Sequence, residues 1–531
     1  MSLLRAVATF GGFTLLSRIV GLVRDQMVAA MLGTTALADA FFVAFRLPNF
    51  FRALFAEGAF SAAFVPLYAK ILATDGRAVA QAFAERALSL LLLALIVFVS
   101  LAEWFTPAVI SVIAPGFSDD PVRFAHAVTF TRITFPYLLF ISLVSLYGGA
   151  LNALGKFAAT AATPILLNLT MIASLAVLPR FLPSSAHAAA WGVTLAGITQ
   201  FLFLGWAMKR AGLSLGLPRP RLTPNVRRLF VILLPAALGS GVVQINLLVG
   251  QMLASLLPAG SISYLYNADR FYQLPIGVVG VAISTALLPL LSRQLGEGDE
   301  AGARDSQNRA IELAFALGIP SAFALIAIPR EMIKVVLEHG LFDAVSTANT
   351  AMALLAYAVG LPAIVAVKAL TPAFYARHDT RTPLRIAVIG VVGNIALCLA
   401  LMPWLSFVGL ALASAVVAWL NTAQYAVTLY RRGLWAPDRR LKDRLWRIVL
   451  AGLVMVAVLK GLAWLLAPWF ARGLAWEIPA LVLIILAGMA SYGAAAALLG
   501  ALRPAELKAA LRRRPGATKG EPGGSGGLTE G

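Results

Sequence analysis

The sequence predicts an all-α, polytopic membrane protein: fourteen spanning helices, built as two pseudo-symmetric six-helix lobes plus two extra helices. Three observations carry the prediction. Of 531 residues, 60% are hydrophobic and only 13% are charged, where soluble domains carry about 25% charged residues. The apolar residues gather into stretches long enough to cross a bilayer, which takes about 20 residues apiece. The first half of the chain also repeats in the second.

In order, the stretches run roughly 8–33, 37–71, 87–114, 124–153, 159–180 and 188–209, then 226–256, 261–294, 311–329, 346–376, 383–403 and 407–431, then 447–467 and 477–501. The first follows a single Arg5 and is interrupted by Arg18 and Arg24, so it reads as a retained spanning helix rather than a cleaved leader. The second contains Pro48 and Pro66, and a proline inside a helix removes a backbone hydrogen bond and kinks it. Several stretches exceed one crossing and must tilt, bend or project beyond the membrane. The segments 76–86, 299–312 and 441–447 read as short amphipathic helices on the membrane surface. From about residue 515 the tail is Gly-rich and polar, a composition that predicts disorder.

The repeat sets the domain organisation. QMVAAMLGTTALADAFFVAFRLP at 26–48 is echoed by QMLASLLPAGSISYLYNADRFYQLP at 251–275, and Pro48 and Pro66 align with Pro275 and Pro289. The predicted units are a first lobe at 1–215, a second at 216–436, two added helices within 437–502 and a basic tail at 503–531. Six helices per copy is an even number, so both copies enter from the same side as parallel repeats, an arrangement used by transporters that rock two lobes about a shared site.

Charge gives the orientation. Of 43 Lys and Arg, 30 fall in the segments on the side of the chain ends, five on the other side (Arg123, Arg180, Arg330, Lys334 and Arg472) and eight within spans. Basic residues concentrate in cytoplasmic loops, so both ends are predicted to be cytoplasmic. The same placement explains the net charge of +19 without nucleic acid. One cysteine, Cys398, precludes an internal disulfide, and four scattered histidines offer no metal-ligand spacing. There is no phosphate-binding glycine loop, nucleophile elbow or carboxylate cluster, so neither a catalytic constellation nor a cofactor or metal is predicted. A membrane potential or an ion gradient would have to drive transport.

The chemistry lies between residues 17 and 66, where two apolar spans carry Arg18, Arg24, Asp25, Asp39, Arg46, Arg52 and Glu57. An Arg or Asp at the bilayer centre costs about 2.5–3.5 kcal/mol, so such residues face a wet cavity or a partner. The second copy adds Asp269 and Arg270. A cavity with Arg18, Arg24, Arg52 and Arg270 turned inward suits an anion with several oxygens, because the guanidinium fork binds phosphate bidentately. Arg46 and Lys368 are secondary candidates. Asp25, Asp39, Glu57 and Asp269 would orient the arginines or exchange partners between conformations.

The run RIVGLVRDQMVAAMLG followed by ADAFFVAFRLPNFFRALFAEGAFSAAFVPLYA resembles the MurJ (MviN) family of lipid II flippases, as does YNADRFYQLPIGVVGVAISTALLPLLS. The family belongs to a larger superfamily of two-lobed exporters of drugs and lipid-linked polysaccharides. The resemblance implies transfer of an undecaprenyl-diphosphate disaccharide-pentapeptide from the inner to the outer leaflet of the bacterial inner membrane. It implies a central cavity lined by Arg18, Arg24, Arg52 and Arg270, and it adds Asn49 to Asp25, Asp39, Glu57 and Asp269 in matching motifs. It further implies that the last two helices form a groove for the lipid tail. One pair of lobes suffices for a monomer, whose expected partners are membrane lipids and other cell-wall synthesis proteins. Some relatives bind sodium between helices 7 and 11 through carboxylates; helix 7 here has none. The alternative is a related exporter of another lipid-linked oligosaccharide, or of drugs by cation antiport. A cationic cargo calls for an acidic cavity, and this one is net positive.

Overall fold

The computed structural model describes residues 3–53 and 60–501, with side chains at 12–53, 60, 63–233 and 244–501; Glu57 and the tail 503–531 lie outside the described residues. Every regular element among them is a helix. The first lobe contains α1 (Leu3–Leu32), α2 (Ala36–Phe51), α3 (Ser61–Thr74), α4 (Gly76–Trp104) and α5 (Thr106–Ile113), then α6 (Pro121–Thr134), α7 (Tyr137–Ala153), α8 (Phe157–Val177) and α9 (Ser185–Arg210). The second contains α10 (Pro224–Ser255), α11 (Ser261–Pro275), α12 (Val281–Gly296), α13 (Glu300–Ala327) and α14 (Pro329–Leu337), then α15 (Ala344–Leu370), α16 (Pro372–Tyr375) and α17 (Arg381–Arg431). Two more, α18 (Arg439–Leu465) and α19 (Leu474–Leu498), end the fold.

Among the described residues, ten segments are long and apolar enough to cross a membrane. Fourteen crossings result when α17 is split at Ser406, whose φ of 50° and ψ of −134° break the helix, and when α1, the α2–α3 pair and α10 are included. The paired halves meet at matching distortions. Residues 52, 53 and 60, after Pro48, are wound as π-helix, and Ile276–Gly280, after Pro275, is a π turn joining α11 to α12. A proline frees a carbonyl and blocks the next turn, and a wider turn absorbs the mismatch.

Within the first lobe α1 packs on α8, α8 on α9, α2 on α6 and α7 on α9; within the second, α15 lies against both α13 and α17. Between the lobes, α10 leans on α3 and α4 and α11 touches α2. The pair α18–α19 is fastened to α13 at one end and to α14 at the other. At one, the carboxylate of Glu312 accepts hydrogen bonds from Arg309 and Arg444, and Arg440 stands 3.3 Å away. At the other, Lys334 donates to the Phe470 carbonyl at 2.7 Å and faces Glu477 at 3.5 Å. Removing one partner of a buried pair such as Glu312–Arg444 costs about 3–5 kcal/mol, so these two helices are anchored to the second lobe.

The three segments expected as separate surface helices are instead the first turns of longer ones: 76–86 begins α4, 300–312 begins α13 and 441–447 lies in α18. Their apolar faces continue in register with the span that follows, and an uninterrupted helix keeps its backbone hydrogen bonds. We call the end of the bundle bearing the loops 33–35, 114–120, 256–260 and 338–343 the distal end, and the end nearer the chain termini the proximal end.

Candidate functional site

The charged residues of the two lobes meet in a cleft at the level of the π turns. On α1, Arg24 is buried and held on three sides: Nε and Nη2 donate to Asp25 Oδ1 at 3.1 and 2.5 Å, and Nη1 donates to Asn168 Oδ1 on α8 at 2.8 Å. Asn168 in turn donates to the Ser17 carbonyl at 3.0 Å. The other carboxylate oxygen of Asp25 faces Arg270 Nε of the second lobe at 3.7 Å. Asp25 is therefore shared between an arginine of each lobe. Its link to Arg270 is the longer and weaker of the two, since an N–H···O bond is spent beyond about 3.2 Å.

Arg270 donates to the Tyr266 hydroxyl and lies 4.6 Å above that ring. Phe42 of α2 stacks on the same ring from the first lobe at 4.0 Å. The side chain of Arg270 is nevertheless 39% exposed, so it faces open space in the cleft. Asp269 accepts from Gln273 and feels the charge of Arg46 across the lobes. On α2, Asn49 donates to the Phe45 carbonyl at 2.7 Å and accepts from Arg52 Nε at 3.1 Å. Arg18 and Lys368 are exposed. Both rest on the π segment of the second lobe, where glycine leaves room: a Cβ on Gly277 would lie 2.5 Å from Arg18 Nη2, and one on Gly280 would lie 3.1 Å from Lys368 Cγ. The cleft and the π segments beside it together carry Arg18, Arg24, Asp25, Arg46, Asn49, Arg52, Asp269, Arg270 and Lys368. Six cations face two carboxylates among these described residues. A polyvalent oxyanion is the ligand class that such a set can neutralise.

Asp39 lies elsewhere. Thr35 caps α2, accepting from Ala38 N at 3.2 Å, and this sets Asp39 in the first turn at the distal end. There it is fully buried. Oδ1 accepts from Ser263 N at 2.9 Å and Ser263 Oγ at 2.6 Å; Oδ2 accepts from Gly260 N at 2.8 Å and Arg123 Nη2 at 2.6 Å. A carboxylate of the first lobe thereby caps the N-terminus of α11 in the second, where free N–H groups and the helix dipole favour an anion. Arg123 is positioned by the Asp120 cap of α6 and lies 4.0 Å over the Phe117 ring.

Other distal contacts join the same two bodies. Leu341 N donates to the Ala30 carbonyl at 2.8 Å, the Thr34 and Ser346 hydroxyls meet at 2.7 Å, and Gly116 N donates to Ser255 Oγ at 3.2 Å. At Gly33, Gly116, Gly260 and Gly340 a Cβ would come within 3 Å of backbone carbonyl oxygen across the seam. The cleft is closed at its distal end.

Sequence reasoning missed Arg123, Asn168, Gly260, Ser263 and Tyr266. Arg123 had one available signal, as a basic residue on the side that holds only five. Asn168 had another, as an amide in an apolar span. The donors at Gly260 and Ser263 are backbone groups, which no side-chain pattern reports. Among the described residues no group of three or more His, Cys, Asp or Glu converges as a metal site would require.

The family model described as "Lipid II flippase MurJ" matches residues 28–485. A "Probable lipid II flippase MurJ" of Rhizobium meliloti is 41% identical over 98% of this chain and 98% of its own length. A protein of the same description from Vibrio cholerae is 37% identical over 96% and 98%. Among solved structures, "Lipid II flippase MurJ, inward closed conformation" superposes with a TM-score of 0.77 at 26% identity, covering 92% of this chain and 98% of that one. An inward-facing multidrug transporter of the MATE family shares the fold, with a TM-score of 0.68 at 15% identity.

Proposed function

The chain belongs to the MurJ family of lipid II flippases, and from that premise we propose how its residues perform the transfer. The protein is a multi-pass membrane protein of the bacterial inner membrane that moves lipid II, the undecaprenyl-diphosphate precursor of peptidoglycan, from the inner to the outer leaflet. The observation that supports this reading is the cationic cleft between two lobes sealed at one end.

With the distal seam shut, a headgroup enters from the proximal side, which the 30-to-5 distribution of basic residues assigns to the cytoplasm. Its diphosphate meets Arg18, Arg52, Arg270 and Lys368, while Arg24, pinned by Asn168, serves as a fixed charge. Phosphate oxygens compete with Asp25 for Arg270, and the 3.7 Å link is the one that yields. The substrate then takes over the bridge between the lobes, closing the proximal side while the distal seam at Asp39 parts. Asp39 and Arg123 belong to the same lobe, so their ion pair survives opening. The cap on α11 and the few other hydrogen bonds across the seam are exchanged for water, and among the described residues no ion pair between the lobes has to break there. The lipid tail stays in the bilayer along α18 and α19. A monomer suffices, because one pair of lobes forms the whole site.

The test is made in cells depleted of the protein, by measuring how much lipid-linked precursor an externally added probe can reach. Exposure should fall on depletion, return with the wild type and stay low with Arg18→Ala or Arg270→Ala. Unchanged exposure on depletion would assign the cargo to a different lipid-linked sugar.

A further inference from the structure

Away from the cleft, the second lobe carries a groove that headgroup transfer does not use. The two halves of α17 run antiparallel on either side of the Ser406 break, and at their proximal ends they part around a space of about 440 Å³. Its walls include Ile389, Leu420 and Val427, exposed by 54%, 50% and 46%. Its mouth holds Arg385 and Arg432.

The mouth is strongly basic. Arg432 is fixed at the rim, donating to Asp379 Oδ2 at 2.7 Å and Thr382 Oγ1 at 2.9 Å, yet its side chain remains 46% exposed. Arg385 is exposed and makes no ion pair or side-chain hydrogen bond among the described residues. Two arginines thus line the mouth, and the Asp379 carboxylate is engaged by Arg432. Arg385 and Ile389 are four residues apart, one above the other on the same helix face. A cationic group thus stands directly at the head of an apolar track that points toward the bilayer interior. Basic pockets between spanning helices at the cytoplasmic surface suit anionic lipid headgroups.

We propose that this groove seats a resident phospholipid of the inner leaflet that carries a net negative headgroup. Its phosphate sits between Arg385 and Arg432, and one acyl chain lies along Ile389, Leu420 and Val427. A zwitterionic lipid would bring its ammonium into the field of Arg385 and Arg432, so the seat selects against it. The inference rests on the proximal end facing the cytoplasm and not on the identity of the transported cargo.

The test uses the full-length protein in detergent with equal phosphatidylglycerol and phosphatidylcholine, counting retained lipids by native mass spectrometry. One phosphatidylglycerol should be held in preference to phosphatidylcholine. Arg385→Gln should weaken its retention about fivefold, the effect of one basic residue at a lipid surface. Leu420→Trp, which fills the track and leaves every charge in place, should abolish it. Both variants should still bind purified lipid-linked precursor, which reads the cleft and reports folding. Equal retention by all three proteins, equal retention of the two lipids, or displacement by soluble glycerol phosphate would overturn the proposal. So would parallel loss of precursor binding, which would place the groove on the substrate's route.

Discussion

A carboxylate with no exposed surface persists only where donors answer both of its oxygens. Asp39 has four such donors, three of them from the other lobe. Asp39→Asn keeps the shape but turns an NH₂ group toward an N–H or a guanidinium, so at least one donor is left facing another donor. The expected outcome is a shift of population toward the distally open form, with little change in precursor binding, since the cleft residues are untouched. Spin labels at Val122 and Val345, both exposed and on opposite lobes, would read it in a background where the buried Cys398 is replaced by Ser. A longer distance should grow in; an unchanged distribution would show that Asp39 does not hold the seam. Asp39 and Arg46 are seven residues apart on the same helix, a spacing that returns close to the same face. Shared face does not mean shared depth: those seven residues span about 10 Å along the axis, enough to separate a distal cap from a cleft.

At the scale of elements, the seam depends on backbones approaching more closely than any side chain allows. A Cβ at Gly116 would lie 2.2 Å from the Ser255 carbonyl oxygen, which is main chain and cannot swing aside. Gly116→Ala should therefore pry open the distal end and raise the same long-distance population as Asp39→Asn. Gly393→Ala, in open space within α17, is the matched control and should leave the distances alone. If both alanines behave alike, close backbone approach is not what seals the seam. The helices themselves were largely legible, because apolar length and the paired prolines Pro48 and Pro275 are direct consequences of bilayer thickness and backbone chemistry. Their starts were less so. At 76, 300 and 439 the amphipathic turns look complete in themselves, and only the packed structure shows them flowing into the spans that follow.

For the whole molecule, the quantity that matters is the charge of the cleft. Arginines inside apolar spans are conspicuous in the sequence; that Asp25 is shared between Arg24 and Arg270 is not, because it depends on how two lobes dock. With six cations against two carboxylates among these described residues, we propose that the empty carrier moves net positive charge when it changes sides. Each elementary charge crossing the full field is worth about 2.3 kcal/mol per 100 mV. A potential negative inside draws the empty, positive cleft back toward the cytoplasm, whereas a bound diphosphate cancels part of the charge on the outward stroke. Collapsing the potential should thus slow the empty return more than the loaded step. We propose the potential rather than sodium as the driving force. In the second lobe Asn394 donates to Asn246 at 3.1 Å and accepts from Ser414 at 3.5 Å, and α10 has no Asp or Glu to offset a desolvated cation. In vesicles containing the purified protein, exchanging sodium for potassium at constant potential should leave transfer unchanged, while clamping the potential to zero should reduce it several-fold. The reverse pattern would mean that an ion site drives the cycle and that the charge of the cleft serves binding alone.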